Sequence, residues 1–314
     1  MRLTRIEMEG IRGVSRVRIE LAPGATVCVT GDAGAGKTAA LEAIAAAREG
    51  FLPGALPPPP EAWCAPGRTG GFVELTWQLD ALERAIVPGK DPTFVATWRP
   101  RGESTDVLAR ARDRIARTRI HYFDAHRLTA PASAFAAGGG PARPARDLDW
   151  TPSARKYEWL EAYLLARSEN ADRATGARLA ERGVALATRD TSVFASALER
   201  LCPTVRAGRP LVRSGVRLAG FVRPDRTERT FAELTTGERM AVLFAATFDA
   251  LELEGAIVLV DTPELGIHPS RHTAFLDGLA RLVGTGTLIV ATTSAAILRA
   301  LPRDAVKVLE PSPS

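Results

Sequence analysis

Lysine and cysteine are scarce in this chain of 314 residues. Only four of its 41 basic residues are lysine, and the other 37 are arginine. Because alanine, glycine and proline are also abundant, this skew indicates a compositional bias, and the net charge of +5 is a poor argument for nucleic-acid binding. The three cysteines, Cys28, Cys64 and Cys202, are far apart and lack CxxC spacing, which argues against a disulfide framework and against a zinc site.

Long apolar runs are missing as well. No run approaches the ~20 residues that a membrane-spanning helix needs, and the first five residues lead into a strand-like pattern instead of a signal peptide. We therefore expect a cytoplasmic protein without a membrane partner. The apolar fraction of 46% is typical of a globular protein, and at ~150 residues per domain the length allows one large domain or two smaller ones.

A glycine-rich segment at residues 31–38 separates an apolar strand-like run from a helical run. This strand, loop and helix order is what a phosphate-binding loop requires, because the glycines let backbone amides converge on a phosphate. Lys37 would supply charge to the β- and γ-phosphates, and Thr38 would supply a hydroxyl to Mg²⁺. The segment therefore predicts binding of ATP and Mg²⁺ by the residues Gly31, Asp32, Ala33, Gly34, Ala35, Gly36, Lys37 and Thr38.

A second apolar run, at residues 257–260, ends in Asp261. A carboxylate at the end of a buried strand is what a Walker B motif places beside Mg²⁺, although an aspartate there can equally cap a helix. Upstream, an apolar helical run follows a segment similar to the LSxGE signature of ABC ATPases, and the order signature, helix, acid is the ABC order. The signature-like residues are Thr235, Thr236, Gly237 and Glu238.

Three further segments resemble the RecF and OLD-like ATPases, a group of ABC-type heads. Residues 6–13 resemble the turn that opens these proteins, residues 261–269 resemble their DEPE..LHP form of Walker B, and residues 289–298 resemble their ATTHSPEIL strand. The likeness covers residues 1–50 and 215–300. It implies an α/β P-loop NTPase fold with an ABC-type head, in which a mixed sheet is flanked by helices and interrupted by a helical insertion.

The apolar pattern divides the chain into three parts. Lobe I, with the P-loop, is predicted over residues 1–130, a linker and helical insertion over 131–210, and lobe II, with the signature and Walker B motifs, over 211–314. The insertion is too short for the long heptad arms of an SMC protein, so we expect the chain to lie outside that subfamily. Further strands are predicted at 14–21, 25–30, 72–77, 93–98, 120–123, 216–222, 256–260 and 287–291, and a helix at 110–119.

Two positions that the family uses in hydrolysis carry hydroxyls here. Thr262 stands where the family has the glutamate that polarises the attacking water, and Thr293 stands where it has the switch histidine. Glu264 is the carboxylate left nearby, and it can act in catalysis with Asp261 or be a structural acid. We therefore expect slow hydrolysis, and we expect His268 to pack or bond locally.

Arginines cluster in two places. Both clusters fit contact with nucleic-acid phosphates, and an ordinary solvated face in an arginine-rich chain fits them equally well. The first cluster lies on one face of the predicted helix at 110–119, and the second lies near residue 210. The residues are Arg110, Arg114 and Arg117 in the first cluster, and Arg206, Arg209, Arg213 and Arg217 in the second.

The resemblance implies a head-to-tail homodimer in which each ATP lies between the P-loop of one subunit and residues 235–238 of the other. Its setting would be DNA maintenance or anti-phage defence. OLD proteins carry a TOPRIM nuclease, whereas this sequence has no acidic nuclease motif, so a nuclease or effector would be a separately encoded partner. Two alternatives stay open: a non-hydrolysing ATP-dependent scaffold, favoured by Thr262 and Thr293, and the ATPase subunit of a transporter, disfavoured by the insertion.

Overall fold

The computed structural model describes residues 2–49, 63–64, 70–86, 93–100, 120–127, 154–170 and 193–310. The strands in these ranges are β1 Arg2–Ile11, β2 Val14–Glu20, β3 Thr26–Thr30, β4 Phe72–Gln78, β5 Thr93–Trp98, β6 Ile120–Phe123, β7 Arg206–Ala207, β8 Leu211–Arg213, β9 Val216–Leu218, β10 Gly220–Val222, β11 Glu228–Thr230, β12 Ile257–Asp261, β13 Thr287–Ala291 and β14 Val306–Val308. The helices are α1 Lys37–Glu49, α2 Ala81–Ile86, α3 over residues 160–170, α4 Val193–Leu201, α5 Thr236–Leu251, α6 His272–Val283 and α7 Ala295–Ala300. None of these helices is long and apolar enough to cross a membrane.

The first layer is an antiparallel sheet in the order β2-β1-β4-β5. Its strands alternate between buried apolar side chains and charged ones, so one face packs inward and the other carries cross-strand ion pairs such as Arg5 with Glu74 and Arg16 with Glu7. This antiparallel layer contains the strands predicted at residues 72–77 and 93–98.

The central layer is a parallel sheet in the order β14-β3-β13-β12-β6. Four of its five strands are buried along almost their whole length because both faces are covered, by α1 on one side and by α5 and α6 on the other. The pleat sends Leu259 and Tyr122 toward α1 and sends their neighbours Val260 and Phe123 toward α5. The carboxyl ends of β3, β12 and β6 therefore meet at one edge of the sheet.

The described part of the predicted insertion packs into this same core. Trp159, Leu160 and Leu164 are buried together with Phe194 and Leu198 of α4 in the cluster that contains α5 and α6. These helices thus cover the α5 face of the central sheet. The division of the chain at residues 130 and 210 stays a prediction.

The predicted single strand at residues 216–222 is wrong, because β9 and β10 are separate strands in different sheets. β9 pairs with β8 in a two-stranded hairpin, whereas β10 lies between β7 and β11. The break falls where Gly220 lies against the chain, since a Cβ there would be 2.0 Å from the Arg209 carbonyl oxygen. The helix predicted at 110–119 and the linker at 131–146 lie outside the described residues.

Candidate nucleotide site

The predicted phosphate loop joins β3 to α1, as its sequence requires. Lys37 is the first residue of α1, and its Nζ donates hydrogen bonds to the carbonyl oxygens of Gly31 and Asp32, each at 2.9 Å. The lysine therefore lies along the concave side of the loop. A phosphate bound by the loop would accept from the same ammonium group.

The loop is seated on the turn between β1 and β2. Gly36 has a φ of +86°, and a Cβ built there would lie 3.0 Å from Val14 Cγ2 and 3.1 Å from the Gly13 carbonyl carbon. A Cβ on Gly13 would in turn lie 2.9 Å from the Gly34 carbonyl oxygen. The turn at residues 12–13, which ends the segment 6–13 that suggested the RecF and OLD-like resemblance, is thus a steric support for the loop.

Thr38 and Asp261, which are far apart in sequence, meet at the carboxyl edge of the sheet. Thr38 Oγ1 donates to Asp261 Oδ2 at 2.6 Å. Asp261 is only 3% exposed, and its burial raises the pKa of its carboxyl group despite the hydrogen bond from Thr38. The two groups predicted to hold Mg²⁺ are therefore adjacent.

Two more acids, Asp124 and Glu42, lie beside this pair, and neither was among the predicted site residues. Asp124 directly follows β6, and Asp261 is the last residue of the neighbouring strand β12. The pleat therefore turns both side chains toward α1. Glu42 lies on α1, one turn beyond Thr38. Asp124 is buried, and its Oδ1 accepts from the His126 amide at 2.8 Å, whereas its Oδ2 accepts no hydrogen bond from the described residues. Burial raises the pKa of Glu42, against the effect of its ion pair with Arg12. An acid directly after a buried strand was the available signal for Asp124.

Arg127 is fully buried at the same edge. Its Nη1 donates to the carbonyl oxygens of Asp124 and Asp261, and its Nη2 donates to that of Thr262, all at 2.7 Å. The guanidinium group therefore ties the end of β6 to the end of β12.

Two of the residues predicted to matter for hydrolysis, Thr262 and Glu264, lie on the turn after β12, and Thr293 follows β13. Glu264 Oε1 accepts from Thr292 Oγ1 at 2.5 Å, and the Thr292 amide donates to the Val29 carbonyl oxygen of β3 at 3.1 Å. Glu264 is thus held near the strand that enters the phosphate loop, and its Oε2 has no partner among the described residues. Thr262 has a φ of +46° and a hydroxyl without a hydrogen bond in the described chain, while Thr293 is exposed.

The signature-like residues form the beginning of α5. Thr235 is the N-cap, and its hydroxyl and the Glu238 carboxylate form a capping box that Arg223 extends through an ion pair. Thr235 and Thr236 are exposed. Gly237 packs against its own chain, since a Cβ there would lie 2.9 Å from the Gly266 carbonyl oxygen, and its predicted contact with a nucleotide bound by a second copy stays a prediction. No hydrogen bond among the described residues joins residues 235–238 to the loop at 31–38.

The second arginine cluster is largely matched by acids. Ion pairs join Arg209 to Glu228, Arg213 to Glu233 and Arg217 to Glu169. The first cluster, at residues 110–117, lies outside the described ranges. His268 bonds locally, since it caps a short 3₁₀ turn through Ser270. Within the described chain no three acidic, histidine or cysteine side chains converge as a metal cage.

Comparisons with known proteins show which fold carries this site. Neither a scan against protein-family models nor a search of curated proteins gave a match. Among solved structures, an SMC head bound to the C-winged helix domain of ScpA is 16% identical over 98% of this chain and 96% of its own, with a TM-score of 0.57. An SMC head with an extended coiled coil, bound to the C-terminal domain of ScpA from Pyrococcus furiosus, is 14% identical over 97% of this chain and 94% of its own, with a TM-score of 0.56.

These likenesses concern heads and do not single out the RecF and OLD-like group. These likenesses do not test the prediction that the chain lacks long SMC arms, because the similarity is one of fold alone. The predicted α/β class with a P-loop is confirmed at this level. The chain has the fold of an ABC-type ATPase head.

Proposed function

We propose that this protein is an ATP-binding head that hydrolyses ATP slowly and uses the nucleotide to dimerise. The observation that carries the proposal is the 2.6 Å hydrogen bond between Thr38 Oγ1 and Asp261 Oδ2. A hydroxyl at the start of the loop helix and a carboxylate at the end of the neighbouring strand are the two protein groups that a nucleotide-bound Mg²⁺ uses in P-loop proteins. Folding brings Thr38 and Asp261 together although they are 223 residues apart in sequence.

The buried charges of the site fit a divalent cation. Asp124, Asp261 and Glu264 carry three negative charges within electrostatic reach of the single positive charge of Arg127. Burial is the main cause that raises the pKa of Asp261, and the nearby carboxylates of Glu264 and Asp124 raise it further, while Asp124 Oδ2 accepts no hydrogen bond from the described residues. Mg²⁺ prefers oxygen ligands and keeps several waters, so it needs only Thr38, Asp261 and phosphate oxygens here, with Asp124 as an additional neighbour.

The chain's own groups would bind and orient the nucleotide. Lys37 would exchange its bonds to the Gly31 and Asp32 carbonyls for bonds to the β- and γ-phosphates, and the N-terminus of α1 would favour their negative charge. Mg²⁺, when bound, supplies positive charge to the β- and γ-phosphate oxygens. Thr38 and Asp261 would be the residues that hold the metal ion beside the phosphates.

Orientation of the attacking water is the weak point of the site. Thr262 offers only a hydroxyl, whereas Glu264 offers a carboxylate oxygen without a partner in the described chain. We propose Glu264 as the group that orients water, held in place by Thr292. The exposed Thr293 and the hydroxyl of Thr262 favour a second candidate, a scaffold that binds ATP and hardly hydrolyses it.

Dimerisation is proposed to occur through the exposed N-terminus of α5. Thr235 and Thr236 present hydroxyls and the positive end of a 16-residue helix, which would face the γ-phosphate bound by a second copy. A nuclease or effector would be a separate protein, since solved heads of this fold are bound to domains of ScpA. DNA maintenance or anti-phage defence is the proposed setting. Nucleic-acid contact is the weaker part of the proposal, because Arg209, Arg213 and Arg217 are paired with acids.

Nucleotide binding is tested with Lys37→Ala in a fluorescent-nucleotide titration. The variant should lose ATP binding and keep its circular dichroism spectrum, because Lys37 bonds only to loop carbonyls. Lys307→Ala is the matched control, since it removes the same charge from β14. Equal affinity of Lys37→Ala and Lys307→Ala would contradict the site.

Dimerisation is tested with Thr236→Glu and its neutral control Thr236→Gln. A carboxylate in the first turn of α5 favours the helix, yet it would repel the partner's γ-phosphate. Sedimentation with ATP should therefore show Thr236→Glu as a monomer and Thr236→Gln as a dimer. Gly237 is unsuitable for this test because any Cβ there meets the Gly266 carbonyl. ATP-dependent dimers of both variants would refute the sandwich arrangement.

A further inference from the structure

The turn after β12 holds a strained residue at the centre of the site. Thr262 has a φ of +46°, a left-handed conformation that is rare for a β-branched residue and unfavourable by hard-sphere sterics. Such a conformation persists only where the surroundings over-determine it. Thr262 follows Asp261 directly and precedes Glu264 by two residues, so its backbone sets the direction of both acids.

Three hydrogen bonds hold this backbone. The Thr262 amide donates to the Ala291 carbonyl oxygen at 2.8 Å, and the Thr262 carbonyl oxygen accepts from the Leu265 amide at 3.0 Å and from Arg127 Nη2 at 2.7 Å. The first two bonds belong to the strand end and the turn itself. Only the third bond comes from a side chain, that of Arg127, which lies after β6 and not in the turn after β12.

A fully buried arginine such as Arg127 is unusual in a contact that is only structural. Its guanidinium is fully buried, and no carboxylate of the described chain hydrogen-bonds to it. Burying a cation is costly unless it is well compensated, and here the compensation is three main-chain carbonyls and the field of the nearby acids. The planar fork suits this task because it reaches the Asp124, Asp261 and Thr262 carbonyls at once, which an ammonium group cannot do with the same geometry.

The same side chain touches the helix that begins with the signature-like residues. Arg127 Nε lies 2.9 Å from Met240 Sδ, and its guanidinium carbon lies 5.4 Å from the centre of the Phe244 ring, both on α5. Arg127 therefore has a fixed position relative to β6, β12 and α5.

We propose that Arg127 is a positioning residue that locks the turn after β12 with Thr262 in its left-handed conformation, and so sets the places of the Asp261 and Glu264 carboxylates. The consequence for Mg²⁺ rests on the proposed function, whereas the lock itself is a property of the protein without nucleotide. The two are therefore tested separately.

The lock is tested by hydrogen exchange in nucleotide-free protein, with Arg127→Lys compared to the wild type. The amides of Thr262 and Leu265 should exchange about 10- to 100-fold faster, the range expected for loss of a hydrogen bond to a charged group, while β13 stays protected. Arg271→Lys is the matched control, since Arg271 also donates to a carbonyl, that of Leu201. Unchanged exchange at these amides, or an equal rise throughout the chain, would overturn the proposal.

Rescue separates positioning from general destabilisation. Asparagine tolerates the left-handed region, so Thr262→Asn should restore slow exchange in the Arg127→Lys background and change it little in the wild type. Additive effects of the two changes would show that Arg127 does not act through this turn. If Arg127→Lys alone cannot be purified, the double variant should be recovered as folded protein, and failure to recover it counts against the proposal.

The site consequence is read from nucleotide affinity with Mg²⁺ and with EDTA. Arg127→Lys should lower the gain in affinity that Mg²⁺ provides about tenfold and leave binding in EDTA unchanged, because the loop and Lys37 are untouched. An unchanged Mg²⁺ effect would overturn this part. Absence of nucleotide binding by the wild type would instead defeat the proposed function, and the exchange experiment would still decide the lock.

Discussion

Two glycines of the phosphate loop offer a matched test of how the loop is supported. Gly34 and Gly36 have nearly the same backbone conformation, with φ of +82° and +86°. A Cβ on Gly34 would have no heavy atom within 4 Å, whereas one on Gly36 would lie 3.0 Å from Val14 Cγ2 and 3.1 Å from two backbone atoms of the β1–β2 turn. Alanine at the two positions therefore shares the conformational penalty and differs in packing.

The expected magnitudes follow from these contacts. Placing an L-residue in the left-handed region costs about 1–2 kcal/mol at either position. At Gly36 the backbone neighbours must also move by a few tenths of an ångström, and overpacking of this kind adds about 1–3 kcal/mol. We expect the free energy of unfolding to fall by about 1–2 kcal/mol for Gly34→Ala and by about 2–5 kcal/mol for Gly36→Ala.

Urea unfolding of both variants beside the wild type measures this difference, with the m-value as a check that the transition is unchanged. Gly36→Ala should also weaken nucleotide binding more than Gly34→Ala, because it displaces the loop from the Gly13 turn. Equal losses of stability would mean that the loop is not seated on that turn. A larger loss for Gly34→Ala would reverse the argument.

Three further predictions concern the site and its surroundings. Phosphate release should be well below the ~10 s⁻¹ typical of enzymes, Glu264→Gln should lower it further, and Thr262→Glu with Thr293→His should raise it more than either single change; a wild-type rate near ~10 s⁻¹ would contradict the expectation of slow hydrolysis. Asp261→Asn should remove most of the gain in nucleotide affinity from Mg²⁺ and keep binding in EDTA, and an unchanged gain would exclude Asp261 from the metal site. Burial raises the pKa of Glu161 from its ordinary 4.5 to about 6, so the folded protein binds this proton more tightly than the unfolded chain, and ionisation costs nothing below about pH 4.5 and about 2 kcal/mol above about pH 6. Thermal unfolding should thus show Glu161→Gln stabilised at about pH 7.5 and equal to the wild type at about pH 4; equal stability at both would contradict the burial argument.

The parts of the site that follow motif rules could be predicted from the sequence. Lys37 and Thr38 lie at the start of a helix after a glycine-rich loop, and Asp261 ends a buried strand, so residue type and local pattern together were sufficient. Because the strands of the central sheet are parallel, the phosphate loop and the end of β12 lie at the same edge, whatever the structure of the residues between them. Asp124 had the same signal as Asp261, an acid after an apolar strand, but it matched no named motif and so was not among the predicted site residues.

Other features could not be predicted because they depend on main-chain groups. Arg127 binds carbonyl oxygens, which every residue has, so no pattern of residue types reveals its partners. No residue pattern indicates that the Gly266 carbonyl lies against Gly237, because this is a backbone contact between segments far apart in sequence. The strand predicted at residues 216–222 failed in the same way, since a distant backbone approach at Gly220 interrupts an otherwise regular apolar pattern.

The pleat of the central sheet links the two proposed sites within one subunit. Phe123 and Val260 point toward α5, and the next residue of each strand connection, Asp124 or Asp261, points toward the loop helix. Phe123 lies 4.2 Å from Phe244 of α5, measured between ring centres, so a shift of α5 must displace the end of β6 or open a gap in a close-packed core. Because a gap costs more free energy than a displacement, contacts made at the N-terminus of α5 should shift the ends of the strands. Such a shift would change the positions of Asp124 and Asp261.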